Sequence, residues 1–166
     1  KVQPSGVRVG KRKREHHGVT QDRDFLAEYF PVMLEAARFF TDALVEHPQT
    51  HHLVTCPSVS PEHGGPRPGP MMDSQIVRAL YKAVLDADRI VKCKDAIIEK
   101  IAAQLPRIEP NRIGRWGQLQ EWIEDADKPN DHHRHFSHLW AVYPGSEITP
   151  DTPDFYEAAK KSLTAR

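Results

Sequence analysis

Three short stretches of this chain hold side chains able to do chemistry. The first reads Thr55-Cys56-Pro57-Ser58-Val59-Ser60-Pro61-Glu62-His63-Gly64-Gly65 and continues to Gly69-Pro70-Met71-Met72-Asp73. Pro57 and Pro61 stiffen the backbone before Glu62, and the two glycines let it turn sharply afterwards. A carboxylate on a stiff loop suits a proton donor that must meet one substrate oxygen. The alternative, and from this stretch alone the commoner case, is a solvated surface glutamate. The second stretch, Gly114-Arg115-Trp116-Gly117-Gln118-Leu119-Gln120-Glu121-Trp122, mixes tryptophans with amides and a carboxylate. Flat rings and forked hydrogen-bonding groups suit a sugar, whose C–H faces pack on aromatics while its hydroxyls need donors and acceptors. Core tryptophans flanked by surface polar residues would read the same way.

The third stretch is the densest: Asp131-His132-His133-Arg134-His135-Phe136-Ser137-His138. Its four histidines raise the question of a metal, with His135 and His138 at i, i+3 and Asp131 adding an oxygen. No HExxH and no second Cys/His cluster at ligand spacing accompanies them. An arginine and a histidine reaching a pocket to bind hydroxyl groups is the better reading, and neither metal nor cofactor is expected. His16-His17 and His51-His52 are isolated pairs, expected to be exposed.

These stretches need a scaffold, and the apolar spacing predicts an all-α one. Leu26, Tyr29, Phe30, Met33, Ala37, Phe40 and Leu44 recur at three and four, the period of an amphipathic helix. Asp22 or Asp24 can cap it. Pro31 predicts a break or kink, with the stronger helix over 32–45 and an end by Pro48. A second helix starts near Asp73, and a third covers 95–105 up to Pro106. Short helical pieces are expected over 118–124 and 135–142. The last helix takes Thr152 as N-cap and Pro153 as its first residue. No segment alternates long enough to argue for more than a short strand. The connections over 48–72, 107–117 and 124–133 are long for a helical bundle, and such loops usually carry function.

Composition removes some classes. Lys+Arg and Asp+Glu both total 23, so the chain of 166 residues is formally neutral and makes no general case for nucleic acid or an anionic membrane. The basic run Lys11-Arg12-Lys13-Arg14 has no interleaved aromatics and reads as part of a disordered or extended arm. No apolar run approaches the roughly 18 residues of a membrane span. Cys56 and Cys93 could pair, yet two thiols without a disulfide or metal pattern are more often free, and they do not decide the redox compartment.

Taken together, the phrases resemble glycoside hydrolase family 95. That family shows a phrase close to L-V-T-S-P-S-x-S-P-E-N, then G-P-x-M-D-x-Q, G-x-x-G-Q-L-Q-E-W, H-R-H-x-S-H-L and Y-P-G-x-x-I-T-P. Here they stand as Leu53 to Glu62, Gly69 to Gln75, Gly114 to Trp122, His133 to Leu139 and Tyr143 to Pro150. The resemblance runs from about Glu15 to Arg166 and leaves residues 1–14 as an unmatched, disordered lead. It implies that 15–166 form part of an (α/α)6 barrel of the six-hairpin glycosidase type, incomplete at this length. It implies hydrolysis of terminal α-L-fucosyl linkages, chiefly α-1,2, with inversion, on a fucosylated oligosaccharide or glycan met outside the cytoplasm, in the extracellular space or periplasm.

By the same resemblance Glu62 stands at the general acid. Arg134 and His135 match positions that reach the sugar, Ser60 sits beside the acid, and Glu121 and Trp122 are expected to line the pocket. Inversion also needs a group that activates water. In the family an aspartate does this, from a phrase like F-Q-I-D-G-N-F-G, helped by asparagines of an H-x-N-I-N phrase. Neither phrase occurs in this sequence. The expectation is a fragment with the acid and without the base, or alternatively a non-catalytic helical carbohydrate-binding module. The family asparagine after the acid is His63 here.

Overall fold

The computed structural model of the chain describes residues 22–166, so the expected lead over 1–14 lies outside the described residues. Four helices dominate: α1 Arg23–Ala43, α2 Met71–Val91, α3 Ile97–Gln104 and α4 Pro153–Ala165. Between α1 and α2 lie two antiparallel ribbons, β1 Val45–Glu46 with β2 Leu53–Val54, and β3 Ser58–Ser60 with β4 His63–Arg67. The class is helical, as the periodicity predicts, with strands only a few residues long.

The described chain divides into two compact units. The first comprises residues 22–44 and 77–107. Asp22 caps α1, its carboxylate accepting from the Phe25 N–H at 2.9 Å. Leu26, Phe30, Met33, Leu34, Ala37 and Phe40 form the buried stripe of α1. The predicted break at Pro31 does not occur, since α1 runs through it as one element. Pro31 and Ala27, whose carbonyl loses its helical donor to the proline ring, both face solvent, where water can serve that carbonyl. The Tyr81 hydroxyl of α2 donates to Gln104 Oε1 of α3 at 2.9 Å, and Gln104 Nε2 donates to the Thr41 carbonyl of α1 at 3.1 Å. This chain of bonds ties all three helices around buried Met33, Val84 and Ile101.

The second unit, residues 45–76 and 108–166, carries all three chemical stretches. One core cluster joins Leu119, Ala141, Ile148, Ala158 and Ala159, and a smaller one joins Val54, Met71 and Ile123. Neither expected short helix over 118–124 or 135–142 forms as such. Residues 118–124 are irregular because their backbone groups bond elsewhere. Leu119 N–H donates to the Ala158 carbonyl, Gln120 N–H to the Arg112 carbonyl, and the Glu121 carbonyl accepts from Met71 N–H. Over 135–142 only a 3-10 turn, Ser137–Leu139, appears. Gln75 Oε1 takes the Ala141 N–H at 2.9 Å, the donor that a continuing α-helix would need.

Candidate active site

Glu62 occupies a two-residue corner. Ser60 of β3 pairs with His63 of β4, leaving Pro61 and Glu62 to reverse the chain. Proline suits the first corner position, whereas the second takes φ 54° at Glu62, a left-handed setting that favours glycine. Holding a Cβ there costs about 1–2 kcal/mol, and such strain persists where neighbours over-determine it. The ribbon is anchored from α2: the Asp73 carboxylate accepts from Thr55 Oγ1 at 2.7 Å and Ser58 Oγ at 2.6 Å.

The Glu62 side chain is 45% exposed, and two residues of the histidine-rich stretch converge on it. Arg134 Nη2 donates to Oε2, and His135 Nε2 lies 3.1 Å from the same oxygen. Arg134 Nε is 3.2 Å from that His135 nitrogen. With a proton, His135 Nε2 donates to Glu62; without one, it accepts from Arg134. The hydrogen bonds of His135 and Arg134, with the arginine charge, hold the Glu62 carboxyl below its ordinary value. Behind the corner, His133 Nε2 meets the Glu62 carbonyl at 3.1 Å.

A second carboxylate, Glu121, is wholly buried. The Gly114–Gln118 turn delivers it, and a Cβ at 114 would displace the Gln118 amide and the Asp125 carboxylate that bond each other there. Ser60 Oγ donates to Glu121 Oε1 at 2.5 Å, with Ser137 Oγ at 3.3 Å. His63 Nδ1 stands 3.0 Å from Oε2, and the Arg166 guanidinium donates to that oxygen as well. Burial works to raise the Glu121 carboxyl, but the Ser60 and His63 hydrogen bonds and the Arg166 charge outweigh it and leave it below the usual value. Asp127 accepts from Glu121 N–H at 3.1 Å, and burial, aided by the Glu121 charge, pushes its carboxyl up to about 6. His138 Nδ1 lies 3.7 Å from Glu121, and burial pushes its imidazole down to about 4.

Of the six residues singled out by sequence, Glu62, Arg134 and His135 thus come together at the surface. Ser60 and Glu121 lie behind them as a buried pair. Trp122 is 4% exposed, covered by the His63 ring at 4.7 Å and the Arg67 guanidinium at 5.0 Å, so it supports the ribbon instead of offering an open face. His63, Asp127, Ser137 and Arg166 were not picked from sequence, and nothing in the spacing of Asp127 or Arg166 marks them. Among the described residues no group of three or more His, Cys, Asp or Glu is placed to hold a metal ion. No described helix is long and apolar enough to cross a membrane, and both cysteines are free.

Residues 9–166 match the glycosyl hydrolase family 95 catalytic domain. The chain belongs to that family. It is 32% identical over 164 residues to Alpha-L-fucosidase 2 of Arabidopsis thaliana, covering 92% of this chain and 19% of the relative. It is 36% identical over 168 residues to Probable alpha-fucosidase A of Aspergillus niger, covering 92% of this chain and 21% of the relative. This family 95 chain therefore spans about a fifth of the length of these curated relatives.

Proposed function

We propose that this family 95 chain carries the acid half of an inverting α-L-fucosidase site, within a segment of an (α/α)6 barrel, and acts on terminal α-1,2-linked fucose of an extracellular or periplasmic glycan. Glu62 gives its proton to the glycosidic oxygen, while Arg134 and His135 bind the fucosyl hydroxyls. The observation that carries this reading is the convergence of Arg134 and His135 on the half-exposed Glu62, while Glu121 is locked in buried bonds and cannot reach a substrate. The relatives' names, both fucosidases, support the sugar.

The hydrogen bonds of His135 and Arg134 favour an ionised Glu62. Acid catalysis then requires the sugar to draw Arg134 away and to cover the carboxyl, since loss of a cation and desolvation both raise a carboxylate's pKa. An inverting mechanism also needs a second carboxyl group about 6.5–9.5 Å away to activate water. Glu121 is held by Ser60, His63 and Arg166, so that base comes from residues outside this sequence.

The test is a titration of the isotope-labelled chain with L-fucose followed by NMR. Shifts are expected at Glu62, Arg134 and His135, and Arg134→Ala is expected to remove them. Shifts confined to other residues, or unchanged in Arg134→Ala, would sink the reading.

A further inference from the structure

His63 is placed unlike any other histidine of the second unit. Its Nδ1 lies 3.0 Å from Glu121 Oε2 and its Nε2 lies 3.0 Å from Asp131 Oδ2. Ionised carboxylates only accept, so a ring nitrogen that carries a proton donates to the carboxylate it faces. The ring also lies flat on His133, with centroids 4.2 Å apart and planes 10° from parallel. Its other neighbour is the Trp122 ring. The proton of His133 is fixed in turn. Its Nδ1 accepts from His135 N–H at 3.3 Å, which leaves Nε2 to donate to the Glu62 carbonyl at 3.1 Å. His133 thus holds both the strained Glu62 backbone and the backbone of His135, and the plane of His133 is set by the ring stacked on it.

We propose that His63 is the positioning residue of the Glu62 corner: it ties the start of β4 to Glu121 and Asp131 and, through the His133 ring stacked on it, fixes Glu62 against His135. The proposal deepens the reading of Glu62 as proton donor and rests on it. His63 itself makes no contact with the Glu62 carboxylate. It acts through His133 and through the backbone it shares with Glu62. Glu121, its inner partner, is held independently by Ser60 and Arg166 and faced by His138, so the buried end of the tether stays fixed. Asp131 closes the outer end from the histidine-rich stretch, joining the two segments that meet at Glu62.

The test follows the Glu62 side-chain carboxyl by carbon-13 NMR across pH, together with L-fucose binding, in three variants of the chain. His63→Ala removes the ring and both of its contacts with Glu121 and Asp131. It is expected to move the Glu62 titration upward, towards the ordinary glutamate value, and to weaken fucose binding about tenfold, the equivalent of one charge-assisted hydrogen bond. His133→Phe keeps a ring under His63 but cannot bond the Glu62 carbonyl. It is expected to give the same two changes while the His63 ring nitrogen signals stay those of the parent. Asp131→Asn alters a partly exposed position, keeps the fold should His63→Ala not fold, and is expected to give a smaller change of the same sign. A folded His63→Ala or Asp131→Asn chain whose Glu62 titrates as in the parent would overturn the proposal. Failure of the parent to bind fucose would count against the fucosidase reading instead, and the Glu62 titration would still judge His63.

Discussion

Glu62 and Glu121 lie in the same unit in opposite settings. Both are held below the ordinary carboxyl value, Glu62 by partners at the surface and Glu121 by buried ones. Arg134→Ala is therefore expected to raise the Glu62 titration towards that of a free glutamate, read from its carboxyl carbon. Glu121→Gln leaves Arg166 buried without its counter-charge, and is expected to cost about 3 kcal/mol in urea unfolding. Two neighbours of Glu121 bear on pH in opposing senses. Asp127 has its folded value raised to about 6, so its stabilising contribution is present below pH 4 and is lost as pH rises to 6. His138 has its value lowered to about 4, so its contribution is present above pH 6.5 and is lost as pH falls to 4. Each amounts to about 3 kcal/mol across nearly the same window. The two slopes offset each other. Asp127→Asn should expose the His138 slope, giving stability that rises from pH 4 to 6.5, measured by urea unfolding at stepped pH. A curve as flat as that of the parent would refute the pairing.

At the scale of elements, the site hangs on the first turns of α2. Asp73 grips the β3 ribbon through Thr55 and Ser58, and Gln75 bonds Asn111, the His138 carbonyl and Ala141 N–H. Gln75→Ala removes three bonds and leaves buried backbone groups without partners, an expected loss of about 2–4 kcal/mol. Helix existence was legible from the three-and-four spacing of residues such as Leu26, Phe30 and Met33, because burial of one face decides it. The short pieces over 118–124 and 135–142 were misread for a physical reason. Leu119 and Ile123 have helical spacing but enter different clusters, and side chains such as Gln75 take the backbone donors. Glu62, Arg134 and His135 were legible as residue types on adjacent loops, but their meeting was not, since it depends on the β3–β4 corner. Arg166 and Asp127 reach Glu121 only through tertiary packing and leave no trace in local pattern. In α1, Pro31 sits on the exposed face of an otherwise regular helix. Pro31→Ala is expected to raise stability by about 1–3 kcal/mol by restoring the bond to the Ala27 carbonyl; an unchanged thermal midpoint would mean that the helix carries no proline penalty.

At the scale of the molecule, the question is what a fifth of a fucosidase-length chain can do. Binding and turnover separate here on chemical grounds. Recognition of the sugar needs donors on one side, and in the proposed reading these are Arg134 and His135, which stand beside Glu62. Inversion needs water activated on the opposite face of the ring by a second carboxyl group. The other carboxylates near Glu62 are committed: Glu121 to Ser60, His63 and Arg166, and Asp131 to His63. Freeing Glu121 as a base would leave the buried Arg166 charge unpaired, a penalty of several kcal/mol that opposes any such role. The purified 166-residue chain is therefore expected to bind L-fucose yet release none from 2′-fucosyllactose, as judged by chromatography of the products. A longer protein that contains this chain and supplies the water-activating carboxylate is expected to hydrolyse the same trisaccharide and to lose that activity in Glu62→Gln. Fucose release by the short chain alone, abolished by Glu62→Gln, would show that a second carboxylate within these residues leaves its partners and serves as the base.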